Sequence, residues 1–164
     1  MFIACRDYLI KCLEESGIRT PPIKTMKQLE TTQDPRVGAV IFASETFRRS
    51  GSKRTYRDEN GARHKRRKVF DRDTTFNVII GDPEPERAER IFERFVCALD
   101  NGIVVDGNFV SLEPGQVEWV TNEDSILRSK MAVNIAITFY GGVYSDTRLG
   151  RLTGIDIQVE KEEA

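Results

Sequence analysis

Two β-rich segments of similar length flank the dipeptide Asn60-Gly61, and this pairing restricts the fold more than any other feature of the chain. "VGAVIFASETF", 37 to 47, is rich in apolar and β-branched residues. "KVFDRDTTFNVII" alternates, with Phe76, Val78 and Ile80 on one face, as a half-buried strand does. Asn60-Gly61 suits a tight two-residue turn, because both residue types tolerate positive φ. The expectation is one long β-hairpin with arms at 37–59 and 62–80. At about 3.3 Å per residue, twenty residues could reach on the order of 60 Å. A domain of this size has a radius of gyration of about 15 Å, so the tip must project from the body or fold back on it. Its composition favours projection or disorder over residues 50–65, which hold almost no apolar side chain to bury.

What the tip holds instead is charge. Arg48 to Lys68 contains ten Lys or Arg against Asp58 and Glu59, a local balance of +8. The remaining 143 residues carry 15 basic and 24 acidic side chains, a balance of -9. A net charge of -1 therefore conceals a polarised molecule.

The rest of the chain supplies a body. Phe2, Ile3, Cys5, Leu9, Cys12 and Leu13 recur at helical spacing until Gly17. Thr20-Pro21-Pro22 cannot continue that helix, and the polar run to Pro35 reads as loop with at most one short turn. The strongest helix lies in "GDPEPERAERIFERFVCALDNG": Asp82 can cap it, Pro83 suits its first turn, and Gly102 stops it. Ala88, Ile91, Phe92, Phe95, Val96 and Leu99 make one apolar stripe, which requires a sheet to lie on. "IVVDGNFVSL" reads as a short hairpin around Asp106-Gly107, followed by a strand "GQVEWV" and by "KMAVNIAITFYGG" with Met131, Val133, Ile135, Ile137 and Phe139 on one face. Ile155, Ile157 and Val159 suggest a last edge strand before the acidic tail 160–164. The order is α-β-β-α-β-β, with one further strand after it. It predicts a single α+β domain over 1–164: a mainly antiparallel sheet, helices on one face, and a projecting basic hairpin tip at 48–68.

Chemistry is sparse. His64 is the single histidine, and a nucleophile-base pair would need it in a cleft with an orienting acid. Cys5, Cys12 and Cys97 lack C-x-x-C spacing and read as reduced thiols. One histidine and scattered cysteines do not assemble a zinc site, "DRD" and "EDS" lack calcium-loop spacing, and no phosphate-cradling or dinucleotide loop occurs. Asp71 and Asp73 share one face of a β-arm and are expected to pair with nearby arginines. No catalytic, cofactor-binding or metal-binding residue is assigned, and no cofactor is expected. No run of about eighteen apolar residues exists to cross a membrane, and Arg6, Asp7 and Lys11 interrupt any signal-peptide core. A cytoplasmic protein is expected.

The basic tip has three readings: contact with an acidic protein surface, including another copy of the chain; neutralisation of nucleic-acid phosphates; or a solvated loop that keeps the protein soluble. Under the first two the candidate residues are Arg48, Arg49, Lys53, Arg54, Arg57, Arg63, Lys65, Arg66, Arg67 and Lys68.

The segments "VGAVIFASETFRR", "KVFDRDTTFNVII" and "WVTNEDSILRSKMAVNIAITFYGGVY", with the element order, resemble the tail terminator, or tail completion, proteins of long-tailed bacteriophages and prophages. The likeness covers roughly half of the chain and includes no catalytic signature. It implies a non-enzymatic protein without cofactor. Such a protein forms a homo-oligomeric ring, commonly a hexamer, on the last ring of tail tube protein, stops tube growth and offers the surface that joins the head-completion or connector protein. It implies residence in the cytoplasm of the bacterial host during assembly and in the virion tail afterwards. The ten cations would then meet the neighbouring subunit, the tube or passing DNA. The alternative is a nucleic-acid-binding module whose basic β-hairpin enters a groove.

Overall fold

A computed structural model gives the architecture, and it describes residues 1–121 and 131–150. The elements are α1 (Phe2–Glu15), α2 (Met26–Thr31), β1 (Val37–Arg49), β2 (Lys53–Arg57), β3 (Arg63–Asp82), α3 (Pro85–Cys97), β4 (Gly102–Val105), β5 (Asn108–Thr121) and β6 (Met131–Arg148). All strand pairings in the sheet are antiparallel, in the order β1-β3-β6-β5-β4, with β2 joined to β3 beyond the end of β1. The α+β class read from the sequence is the observed one. The expected strand at Ile155–Val159 and the acidic tail 160–164 lie outside the described residues.

The core forms where the helix stripes meet the alternating strands. Phe76 lies opposite Ile137, Val78 opposite Ile135 and Ile80 opposite Val133, and all six are buried. Leu9 and Leu13 of α1 and Ile91 and Phe95 of α3 close over them. Phe76 is the centre of an aromatic cluster, with ring centroids 5.2 Å from Phe2, 6.2 Å from Phe42 and 6.2 Å from Phe139. Such edge and tilted contacts add directionality to area burial. The opposite face of the same strands holds a smaller cluster, Val37, Ala39, Ile41 and Ala132, to which α2 contributes Leu29. Thus α1 and α3 cover one face while the short α2 serves the other.

Several local expectations change. The helix α3 starts at Pro85 with Glu84 at its N-cap, two residues later than expected, because the Asp82 carboxylate instead accepts from the Glu84 N–H at 3.0 Å and holds Arg87 at 3.4 Å. "GQVEWV" is no separate strand: it continues β5 through an irregularity between Pro114 and Val117. The Asp106-Gly107 hairpin is present with positive φ at both positions, 50° and 72°.

The long hairpin differs most. Its turn is not the two-residue type. Gly61 N–H donates to Asp58 C=O at 2.9 Å and Asp58 N–H to Ala62 C=O at 3.0 Å, closing a three-residue loop in which only Gly61 has positive φ. Asp58 determines this, since its carboxylate accepts from the Asn60 and Ala62 N–H groups at 3.0 and 2.8 Å. The arms are also not a free two-stranded ribbon. β6 runs beside β3 from Asp82–Met131 all the way to His64–Arg148. β6 passes without a break through Gly141-Gly142. The tip is therefore a three-stranded ribbon, β2-β3-β6.

Candidate functional site

In that ribbon the register assigns each side chain to one of two sides. Lys53 lies opposite Arg67, Thr55 opposite Lys65 and Arg57 opposite Arg63, while Lys65 and Arg67 lie opposite Thr147 and Ser145 of β6. One side thus presents Lys53, Arg57, Arg63, Lys65 and Arg67 with three hydroxyl side chains among them. The intervening residues Arg54, Tyr56, His64, Arg66, Tyr144 and Asp146 occupy the other side.

The second side is internally neutralised. Arg66 donates from Nε to Asp146 Oδ1 at 2.7 Å and from Nη2 to Oδ2 at 2.5 Å, a forked contact. Its Nη1 reaches Asn108 Oδ1 at 3.0 Å, which also accepts from Arg54 Nη2 at 3.1 Å. The guanidinium lies over the Tyr56 ring at 5.0 Å and the Tyr144 ring at 5.7 Å, and Tyr56 Oη donates to Asp146 at 3.1 Å. Lys68 pairs with Asp71 at 2.6 Å, and His64 Nε2 lies 2.9 Å from Asp58 Oδ2. The hydrogen bonds from Arg66 hold the Asp146 carboxyl below the usual carboxylate range, and Asp146 in turn raises the pKa of Arg66. The hydrogen bond with His64 and the backbone donors of the turn lower Asp58 likewise.

The first side has no such arrangement. Among the described residues none of Lys53, Arg57, Arg63, Lys65 and Arg67 has a carboxylate partner, and all five are exposed. Two of the directly opposed pairs, Lys53–Arg67 and Arg57–Arg63, are like-charged, which opposes strand pairing. Charge of this density, kept apart from three available carboxylates on the same ribbon, is suited to meeting an anion from outside.

The ten cations singled out in the sequence therefore separate. Lys53, Arg57, Arg63, Lys65 and Arg67 share one side. Arg54, Arg66 and Lys68 belong to the neutralised side. Arg48 and Arg49 sit on β1, Arg48 paired with Asp73 at 2.7 Å and Arg49 over the Phe70 ring at 4.7 Å. Asp73 meets an arginine as expected, whereas Asp71 takes Lys68. Sequence reasoning missed Asp146, Tyr144 and Asn108, all essential to the neutralised side. The available signal was the continued alternation of "VYSDTR" past the two glycines.

His64 has an orienting acid after all. It is also half-buried and stacked on Tyr56, ring centroids 5.2 Å apart at 20°. Its second ring nitrogen contacts no hydroxyl or thiol among the described residues, so Asp58, His64 and Tyr56 shape the turn rather than form a nucleophile-base pair. Cys5 and Cys12 are buried and Cys97 is exposed, all as free thiols. Among the described residues no three His, Cys, Asp or Glu side chains converge as metal donors, and no helix is long and apolar enough to cross a membrane.

No protein-family model matches the chain, and no curated protein matches it.

Proposed function

We propose that this chain is a structural assembly protein of the tail-terminator kind: a non-enzymatic subunit of a homo-oligomeric ring, six copies on the tail, that caps a phage or prophage tail tube and joins it to the head. The observation that carries the reading is the two-sided ribbon. Its neutralised side spends His64, the single histidine, and three aspartates on fixing the ribbon's own shape, while the other side leaves five cations for a partner. An exposed, unneutralised cationic side is suited to docking, and a body that carries the acidic excess gives identical subunits two unlike patches. Unlike patches support head-to-tail association, which closes into a ring when the rotation permits. The tail tube protein and the head-completion protein are the further partners of such a ring, which assembles in the host cytoplasm and ends in the virion tail.

Native mass spectrometry of the purified chain, alone and with purified tail tubes, tests this. A closed oligomer alone, or a fixed number of copies per tube end, supports the reading. A monomer that leaves tube ends bare sinks it.

A further inference from the structure

We infer that the side of the ribbon bearing Lys53, Arg57, Arg63, Lys65 and Arg67 is a seat for the phosphate backbone of duplex nucleic acid. The inference deepens the assembly reading by naming what this side meets, and it rests on that reading only for its biological setting. The binding itself follows from the side's chemistry.

Three observations select this occupant. The five cations lie in a block that is five residues (four steps, about 13 Å) long and two strands, about 5 Å, wide. A block of that density matches a polyanion whose charges recur closely along one direction. Next, the side chains interleaved with them are Thr55, Ser145 and Thr147, short hydroxyls of the type that donates to phosphate oxygens. Finally, the side lacks what other occupants need. Tyr56, Tyr144 and His64 all belong to the opposite side, so within the block itself no ring is presented for unstacked bases; Phe70, the next ring on this side, lies beyond Arg67 and is covered by the Arg49 guanidinium. Protein interfaces centre on buried aromatic or aliphatic anchors and are depleted in lysine at their core, whereas this block consists of charged and small polar groups, with the apolar Leu149 at its margin beside Arg63. Addition of a partner's strand is disfavoured along three of the edges: β1 carries an irregularity between Phe42 and Ser44, β5 one between Pro114 and Val117, and the short β2 carries three cations.

The test is a fluorescence-anisotropy titration of the full chain against a mixed-sequence 20-base-pair DNA duplex at 50, 100 and 200 mM salt. If five phosphates are neutralised, log affinity falls with log salt at a slope of about -4.5, an approximately 500-fold loss over this range. The triple variant Lys53→Gln, Lys65→Gln, Arg67→Gln should keep its fold, since none of the three side chains has an ion-pair partner among the described residues, and its slope should shrink to about -2. The pair Lys24→Gln, Lys27→Gln, exposed cations outside the ribbon, should leave affinity and slope unchanged. Absence of binding at 50 mM, an unchanged slope in the folded triple variant, or displacement by polyglutamate as effective as by unlabelled duplex would overturn the inference. Native mass spectra of the same samples separate the two readings. A ring that ignores duplex sinks this inference alone, and a monomer that binds duplex with the stated slope supports it, the ring being removed only where that monomer also leaves purified tail-tube ends bare.

Discussion

Arg66 and Asp146 face each other across the β3–β6 ladder and share two hydrogen bonds, 2.7 and 2.5 Å long, so that a residue from the basic strand is tied to one eighty positions later. This contact adds a side-chain tie to the backbone ladder that joins β6 to the tip. Breaking it by Asp146→Asn should lower the thermal midpoint, and the exchanged pair Arg66→Asp with Asp146→Arg should recover part of the loss. Equal midpoints for wild type and Asp146→Asn would show that the pair does nothing for stability.

The same contact sets a pH dependence. Asp146 and Asp58 both have carboxyl groups held below their ordinary value in the folded chain, by Arg66 and by His64 with the turn N–H groups respectively. A depressed folded pKa contributes stability that is present above the unfolded pKa, about 3.9, and is lost as pH falls through the folded value. Ribbon amides followed by hydrogen exchange should therefore keep their protection relative to the body from pH 7 to about 5 and lose it below about pH 4. Loss of ribbon protection already between pH 7 and 6 would assign the tip's order to another group.

Within the body, Phe76 is the side chain on which most of the packing converges. It is fully buried and meets Phe2, Phe42 and Phe139, so its truncation leaves a cavity bordered by α1, β1 and β6. Phe76→Ala should cost about 3–5 kcal/mol in urea unfolding. A loss under about 1 kcal/mol would mean that α1 does not close over β3 as described.

How much of this was legible in the chain depends on the range of the interaction. The Phe76–Ile80 and Val133–Phe139 alternations and the Asp106-Gly107 turn are local patterns, and the structure contains each of them; the α3 stripe is narrower than its spacing suggested, burying Ala88, Ile91 and Phe95 while Val96 is exposed and Leu99 lies past the helix end. The three-residue turn at Asp58 was hidden because a side chain, not the Asn60-Gly61 backbone preference, decides its type. The neutralised side of the ribbon was hidden for a different reason. Its carboxylates Asp71 and Asp146 and its amide Asn108 come from three separate strands, and only the β3–β6 register brings Asp146 beside Arg66. A charge count over 48–68 correctly found an excess of cations but could not divide them by side, since side is fixed by pairing.

The five unpaired cations carry the last prediction. Lys53–Arg67 and Arg57–Arg63 are directly opposed like charges with no carboxylate partner among the described residues, so removing one member relieves repulsion and strands no partner. Arg67→Thr should then be neutral or raise stability by up to about 0.5–1 kcal/mol, with the gain largest at low salt, where screening is weakest. The contrast lies with Arg66, one residue away, whose loss takes from Asp146 both guanidinium donors and leaves it the Tyr56 hydroxyl. Urea unfolding of both variants at 20 and 500 mM salt distinguishes the sides. If Arg67→Thr destabilises as Arg66→Met does, at either salt concentration, position 67 holds the fold together, and the division of the ribbon into a self-satisfied side and a partner-seeking side fails.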